Sequence, residues 1–145
     1  MKAISLRQPW ADLVIDGKKT LELRPWKTNY VGPILIHGSK RFFPSDFEHF
    51  KMKPAKSTFG GILGMANLLG YLTFKDSEDC MKFSEKHLAG PEYFTDQEYR
   101  DGRAHGLLIS KPYRFPKAIP YRGMLSLFEV PDSVLTENVK SVFSA

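Results

Sequence analysis

The sequence predicts an α+β fold, a small closed or nearly closed β-barrel with short peripheral helices, formed by residues 1–145 as a single domain. Apolar and polar residues alternate through Leu21-Glu22-Leu23-Arg24, the period of a half-buried strand. Further strand-like runs recur along the chain, separated only by short helical patterns. The longest opens with Gly60, Gly61 and Gly64, as the bulges or tight bends of a barrel require. With 42 % apolar and 13 % aromatic residues, 145 residues suffice to bury a core.

Lys2 to Leu6 reads as the first strand. Pro9 suits a first helical position, where no backbone donor is needed, and Trp10, Leu13 and Val14 then form an apolar stripe. This predicts a helix over residues 9–16, ended by a left-handed Gly17. The second strand runs from Lys19 to Arg24. Gly32 to Ser39 is an apolar run containing β-branched Ile34 and Ile36, hence a core strand. Ser45 and Glu48 have the spacing of a capping box, which predicts a helix within residues 42–53 with Phe47 and Phe50 on its apolar side. Residues 54–59 form a linker before a long strand over 60–73. One helix is expected from Asp76 to His87, capped by Asp76 or Ser77. Residues 90–102, punctuated by Gly and Pro, read as a loop. Two last strands, 105–115 and 121–130, are joined through a connection containing Pro112, Pro116 and Pro120, with a short helix at most after Asp132. Period-2 patterning places Leu21, Leu23, Ile34, Ile36 and Leu127 in the core.

Net charge is +5, unevenly distributed. Residues 1–60 hold 11 Lys or Arg against 5 Asp or Glu, whereas residues 76–101 hold 3 against 8. From Arg103 to Arg122 there are five cations and no acid. Two basic blocks around an acidic one favour a polyanionic partner. No apolar run reaches membrane-spanning length, and no signal peptide is expected. The lone Cys80 excludes an internal disulfide, and together these features predict a cytoplasmic protein. Cys80 and the histidines at 37, 49, 87 and 105 show no paired spacing, so neither a metal nor a cofactor is expected. There is no GxSxG elbow, and Gly60-Gly61-x-x-Gly64 lacks the lysine of a phosphate-binding loop.

The candidate site centres on Gly17-Lys18-Lys19-Thr20-Leu21-Glu22-Leu23-Arg24. Glu22 and Arg24 share one strand face, and Lys19 reaches over that face from the turn. A partly desolvated lysine beside a second cation has a lowered pKa and can act as base or nucleophile. The bland alternative is a solvated lysine beside a surface ion pair.

The stretches "SLRQPWA", "GKKTLELR" and "GPILIHGSK", in that order and spacing, resemble the ASCH domain family of the PUA-like superfamily. The similarity is sharpest over residues 3–40 and extends more weakly to about residue 130 through "HGLLIS" and "YRGMLSLFEV". It implies a PUA-like barrel whose octet lines a cleft for nucleic acid, with RNA or a nucleoside as partner. Arg7, Gln8, Lys19, Arg24, Trp26, His37, Ser39 and Lys40 are the candidate binding residues, and Lys19 and Glu22 the catalytic ones if the protein is an enzyme. Stacking on an aromatic ring is how single-stranded RNA is usually held, which singles out Trp26 and, second, Trp10. Two catalytic precedents come with the resemblance, a ribonuclease and an amidohydrolase acting on N4-acetylcytidine through a lysine, a threonine and a glutamate. Lys19 matches that lysine, but the threonine position three residues on is Glu22. A third possibility is a protein-interaction module in transcription or translation regulation.

Overall fold

The computed structural model describes residues 1–136. Six strands form one sheet: β1 (Lys2–Leu6), β2 (Leu21–Arg24), β3 (Gly32–Gly38), β4 (Gly61–Thr73), β5 (His105–Pro120) and β6 (Leu127–Glu129), in the order β2-β5-β4-β3-β1-β6. Only β1 and β3 pair in parallel. Their parallel crossover is the short helix α1 (Trp10–Ile15) with β2. Helix α1 lies on the concave side of the sheet, where Ala11, Val14 and Ile15 meet Ile34, Ile36, Leu63 and Ile109. β3 is buried on both faces, since Leu35 points instead to a second cluster with Ile62, Phe115 and Phe128. A third cluster covers the outer face of β2, where Leu21 and Leu23 pack on Phe74, Cys80 and Phe94.

The sheet curls into a half-barrel because β4 and β5, 13 and 16 residues long, slip register three times. One slip ends at Gly64 and another at Gly70. At Gly64 a β-carbon would stand 2.0 Å from the Tyr113 carbonyl and 2.9 Å from Ile15, so only glycine lets β5 and α1 approach there. Among the described residues no ladder joins β2 to β6, and the barrel stays open along that seam.

Several elements differ from expectation for identifiable reasons. Pro9 is the cap of α1 rather than its first residue, after a cis Gln8–Pro9 bond. Helix α2 (Pro44–Phe50) starts at Pro44, and Phe43 before it is extended, as a residue preceding proline prefers, so Ser45 makes no capping bond. The expected helix over 76–87 splits into α3 (Ser77–Met81) and α4 (Ser84–His87), with Asp76 capping the first through a 2.8 Å bond from Asp79 N. The expected loop over 90–102 contains α5 (Asp96–Arg100), started by a full capping box between Thr95 and Glu98. β5 continues through its prolines: Pro112 and Pro116 fall between its register-paired stretches, and past residue 109 its second edge has no strand partner. Residues 121–126 are therefore loop and only 127–129 strand. In that register Leu127 turns to the first cluster, as expected, but is only half-buried, whereas Phe128 is buried in the second. Leu21, Leu23, Ile34 and Ile36 are buried as expected. The chain is helical again at 132–136.

Candidate functional site

The open seam explains why charged residues sit where they do. Thr20 O accepts from Ile109 N on β5, so strand alternation turns the Leu21 and Leu23 carbonyls to the unpaired edge. Side chains take the place of the missing ladder. Lys19 Nζ donates to Leu21 O at 3.0 Å and the Tyr93 hydroxyl donates to Leu23 O at 2.7 Å. Across the seam, Arg24 Nη2 donates to Ser5 O at 3.0 Å, one residue beyond the last β1–β6 pair.

These donors converge on Glu22. Arg24 grips Glu22 Oε2 through Nε at 3.1 Å and Nη2 at 2.9 Å, and Lys19 Nζ stands 3.3 Å from Oε1. Lys19 Nζ also donates to His87 O and lies 4.8 Å from the centre of the Trp10 ring. Only 2 % of Lys19 is exposed and Glu22 is buried with it, so the two are neither solvated nor a surface pair. Burial pulls the Lys19 ammonium below the ordinary lysine value, with Glu22 opposing and Arg24 assisting. Burial, reinforced by the Glu22 charge, pushes the Tyr93 hydroxyl up to about 12.

A second polar pair lies beside the first. His37 Nε2 donates to the Tyr121 carbonyl at 2.7 Å, which leaves Nδ1 to accept from Ser5 Oγ at 2.8 Å. Burial lowers the His37 pKa, against the Tyr121 bond. Gly123 covers this pair so closely that a β-carbon there would sit 2.8 Å from both His37 Cε1 and Ser5 Oγ.

Both pairs open on a cleft of about 1220 Å³ between the seam and the loop 121–126. Its walls include Arg7, Lys19, Glu22, Arg24, Trp26, His37, Ser39 and Lys40. Gln8 is the exception among the candidate residues and requires a correction. It is fully buried, donating to Thr58 O at 2.8 Å and accepting from Asp12 N at 3.0 Å, so it clamps the start of α1 and cannot reach a ligand. Trp10 and Trp26 both line the cleft, Trp10 edge-on to Phe50 and Trp26 packed on the core.

Sequence reading missed Arg41, Tyr93, Arg122, Met124 and Leu125, all of which line the same cleft. Arg41 directly follows Lys40 and was within reach of inspection. Tyr93 comes from a distant segment that carries no local signal. Of the second basic block only Arg122 arrives; Arg114 instead binds Asp12 at 3.1 Å and Asp16 at 2.9 Å. In all, six cations and a single carboxylate, Glu22, face the cleft. Among the described residues no three His, Cys, Asp or Glu side chains come together in a way that could hold a metal ion, and no helix is long and apolar enough to cross a membrane.

The sequence profile of the ASCH domain matches residues 4–114. No curated protein matches the chain. Among solved structures it is similar to ASCH from Zymomonas mobilis, with a TM-score of 0.62 and 18% identity over 97% of this chain and 94% of that one. A Tyr-to-Phe variant of that bacterial protein gives a TM-score of 0.61 at 17% identity, covering 96% of each chain. A Ser-to-Ala variant gives 0.61 at 16% identity, covering 97% of this chain and 94% of that one. At such identities the likeness establishes the fold.

Proposed function

The chain belongs to the ASCH domain family, and from that premise we propose that it binds RNA or a nucleoside in the cleft beside Lys19, Glu22 and Arg24. The observation that supports this is the excess of six cations over one carboxylate in a cleft with two tryptophans on its walls. A polyanion with flat rings answers both features, the phosphates meeting cations and the bases meeting aromatic faces. The cleft has the volume for a nucleotide, pockets for small ligands being typically about 300–1,000 Å³. We place this activity in the cytoplasm, where the buried Cys80 would stay a thiol.

The test is a salt titration of a short fluorescent single-stranded RNA. Contact with two to four phosphates gives a slope of log affinity on log salt of roughly −1.4 to −2.8, at about −0.7 per phosphate. Affinity indifferent to salt would overturn the proposal.

One observation favours a hydrolase in the same cleft, either a ribonuclease or an amidohydrolase on a modified nucleoside such as N4-acetylcytidine. A lysine with a lowered pKa stands 3.3 Å from a carboxylate at the cleft wall. Mass spectrometry of RNA and modified nucleosides before and after incubation decides it. Unchanged masses after long incubation exclude turnover of those substrates.

A further inference from the structure

We propose that the cleft is divided by charge: an inner end that accepts the uncharged part of a ligand, and a rim of Lys40, Arg41 and Arg122 that binds phosphate. The ligand is then a phosphate-bearing nucleotide or strand, not a free nucleoside. This rests on the nucleic-acid reading above and assigns the affinity to residues outside the charged octet.

The inner end is already engaged with itself. The three hydrogens of the Lys19 ammonium face two backbone carbonyls and Glu22. Both Glu22 oxygens are taken, one by Lys19 and one by Arg24, and Arg24 also holds Ser5 O. A phosphate drawing Lys19 or Arg24 to itself would strip donors from buried carbonyls and from a buried carboxylate, each costly to leave unpaired.

The rim has the opposite character. Among the described residues neither Lys40, Arg41 nor Arg122 has a carboxylate within ion-pair distance. Arg41 is nonetheless held in place: its Cζ lies 5.2 Å from the centre of the Phe43 ring, and its backbone N–H donates to Ser39 Oγ at 3.1 Å. Arg7 also lies over Phe43, at 4.4 Å, but Asp46 lies 3.2 Å from it and balances its charge. Arg122 lines the same cleft, and its neighbour Tyr121 donates to the carbonyl of Gly60, beside which the Lys40 stem lies. Like charges gathered without counter-charge are repulsive until an anion arrives, and a guanidinium fixed on a ring loses little freedom on binding one. Next to Arg122 on the same wall, Met124 and Leu125 are 59% and 94% exposed, apolar surface that a base beyond the phosphate would cover.

Calorimetric titration with cytidine, cytidine 5′-monophosphate, cytidine 3′-monophosphate and a cytidine trinucleotide tests the division. At low salt, at least one monophosphate should bind about tenfold or more tightly than cytidine, the effect of one charge-assisted phosphate contact. In the triple variant Lys40→Gln, Arg41→Gln, Arg122→Gln the affinities should converge on that of cytidine, with the urea midpoint of unfolding unmoved. Equal binding of cytidine and both monophosphates by the native protein overturns the division and leaves nucleoside binding standing. A phosphate preference that survives the triple variant also overturns it. If none of these compounds binds and RNA does not either, the inference falls together with the reading beneath it.

Discussion

Replacing Lys19 by methionine should weaken the fold before it affects any ligand. Methionine keeps most of the apolar stem, so the loss is confined to the ammonium group. Its removal leaves the Leu21 and His87 carbonyls without that donor and takes from Glu22 the cation 3.3 Å from Oε1. Each abandoned buried acceptor costs about 1–3 kcal/mol, and breaking a buried ion pair on one side costs about 3–5 kcal/mol. Arg24 still holds Glu22 by two bonds, and the desolvation cost of the ammonium disappears with it, so the net loss falls well below the sum of those costs. A net loss of about 3 kcal/mol is a large part of the 5–15 kcal/mol that stabilises an ordinary domain. With a urea slope of about 2 kcal/mol per molar, the midpoint followed by Trp10 and Trp26 fluorescence should fall by about 1.5 M. A fall below about 0.5 M would refute the view that the ammonium is a structural part of the seam. Adding Glu22→Gln to Lys19→Met should cost less than the sum of the two single changes, since the partners share one network.

Histidines make the fold sensitive to mild acid. Burial lowers the pKa of His37, His87 and His105, so below about pH 6.5 the unfolded chain takes up protons that the folded chain refuses. Stability therefore rises with pH through that window and is lost on descent; a urea midpoint equal at pH 7 and pH 5 would contradict this. Gly64→Ala should lower the midpoint by about 1 M or more or abolish soluble expression, because its β-carbon would overlap the Tyr113 carbonyl at 2.0 Å. A variant with native stability would show that β5 and α1 yield there. Gly123→Ala should displace the His37 ring, visible as a shift of its Cε1 proton resonance, and an unmoved resonance would show the loop giving way instead. Leu125→Ser should leave unfolding unchanged, the side chain being 94% exposed, while weakening nucleotide affinity severalfold; unaltered affinity would remove the loop from the binding surface.

The parts of the fold legible in the sequence were those set by local periodicity. β1 matches its expected span, and β2, β3 and β4 lie inside theirs, because alternation and flanking glycines mark both face and limits. What escaped depended on neighbours. Pro112 and Pro116 look like strand breakers until the register slips between β4 and β5 are known. Leu127 keeps the inner face but stays half-buried, and Phe128 fills the second cluster, because pairing of Ala3 with Phe128 fixes the register of β6 at the sheet edge. Helix α5 was legible and overlooked, Thr95 and Glu98 having capping-box spacing in an otherwise polar stretch. Compactness of the charged octet was visible from Lys19, Glu22 and Arg24, but its depth was not: alternation says which side a residue takes and nothing of what covers it. Arg122 and Tyr93, contributed by segments far from the octet, join the cleft only through tertiary folding.

An open seam has a hazard that a closed barrel avoids, since unpaired strand edges invite the strand of another chain. Both edges here are short, four residues in β2 and three in β6. On β2 the outward carbonyls of Leu21 and Leu23 already hold the Lys19 ammonium and the Tyr93 hydroxyl, so a foreign strand finds no free acceptors at those two positions. The charge of Lys19, turned inward along the edge, adds a further obstacle, because an incoming strand would have to bury it again without its partners. The residues that frame the cleft thereby also guard the molecule against edge-to-edge aggregation.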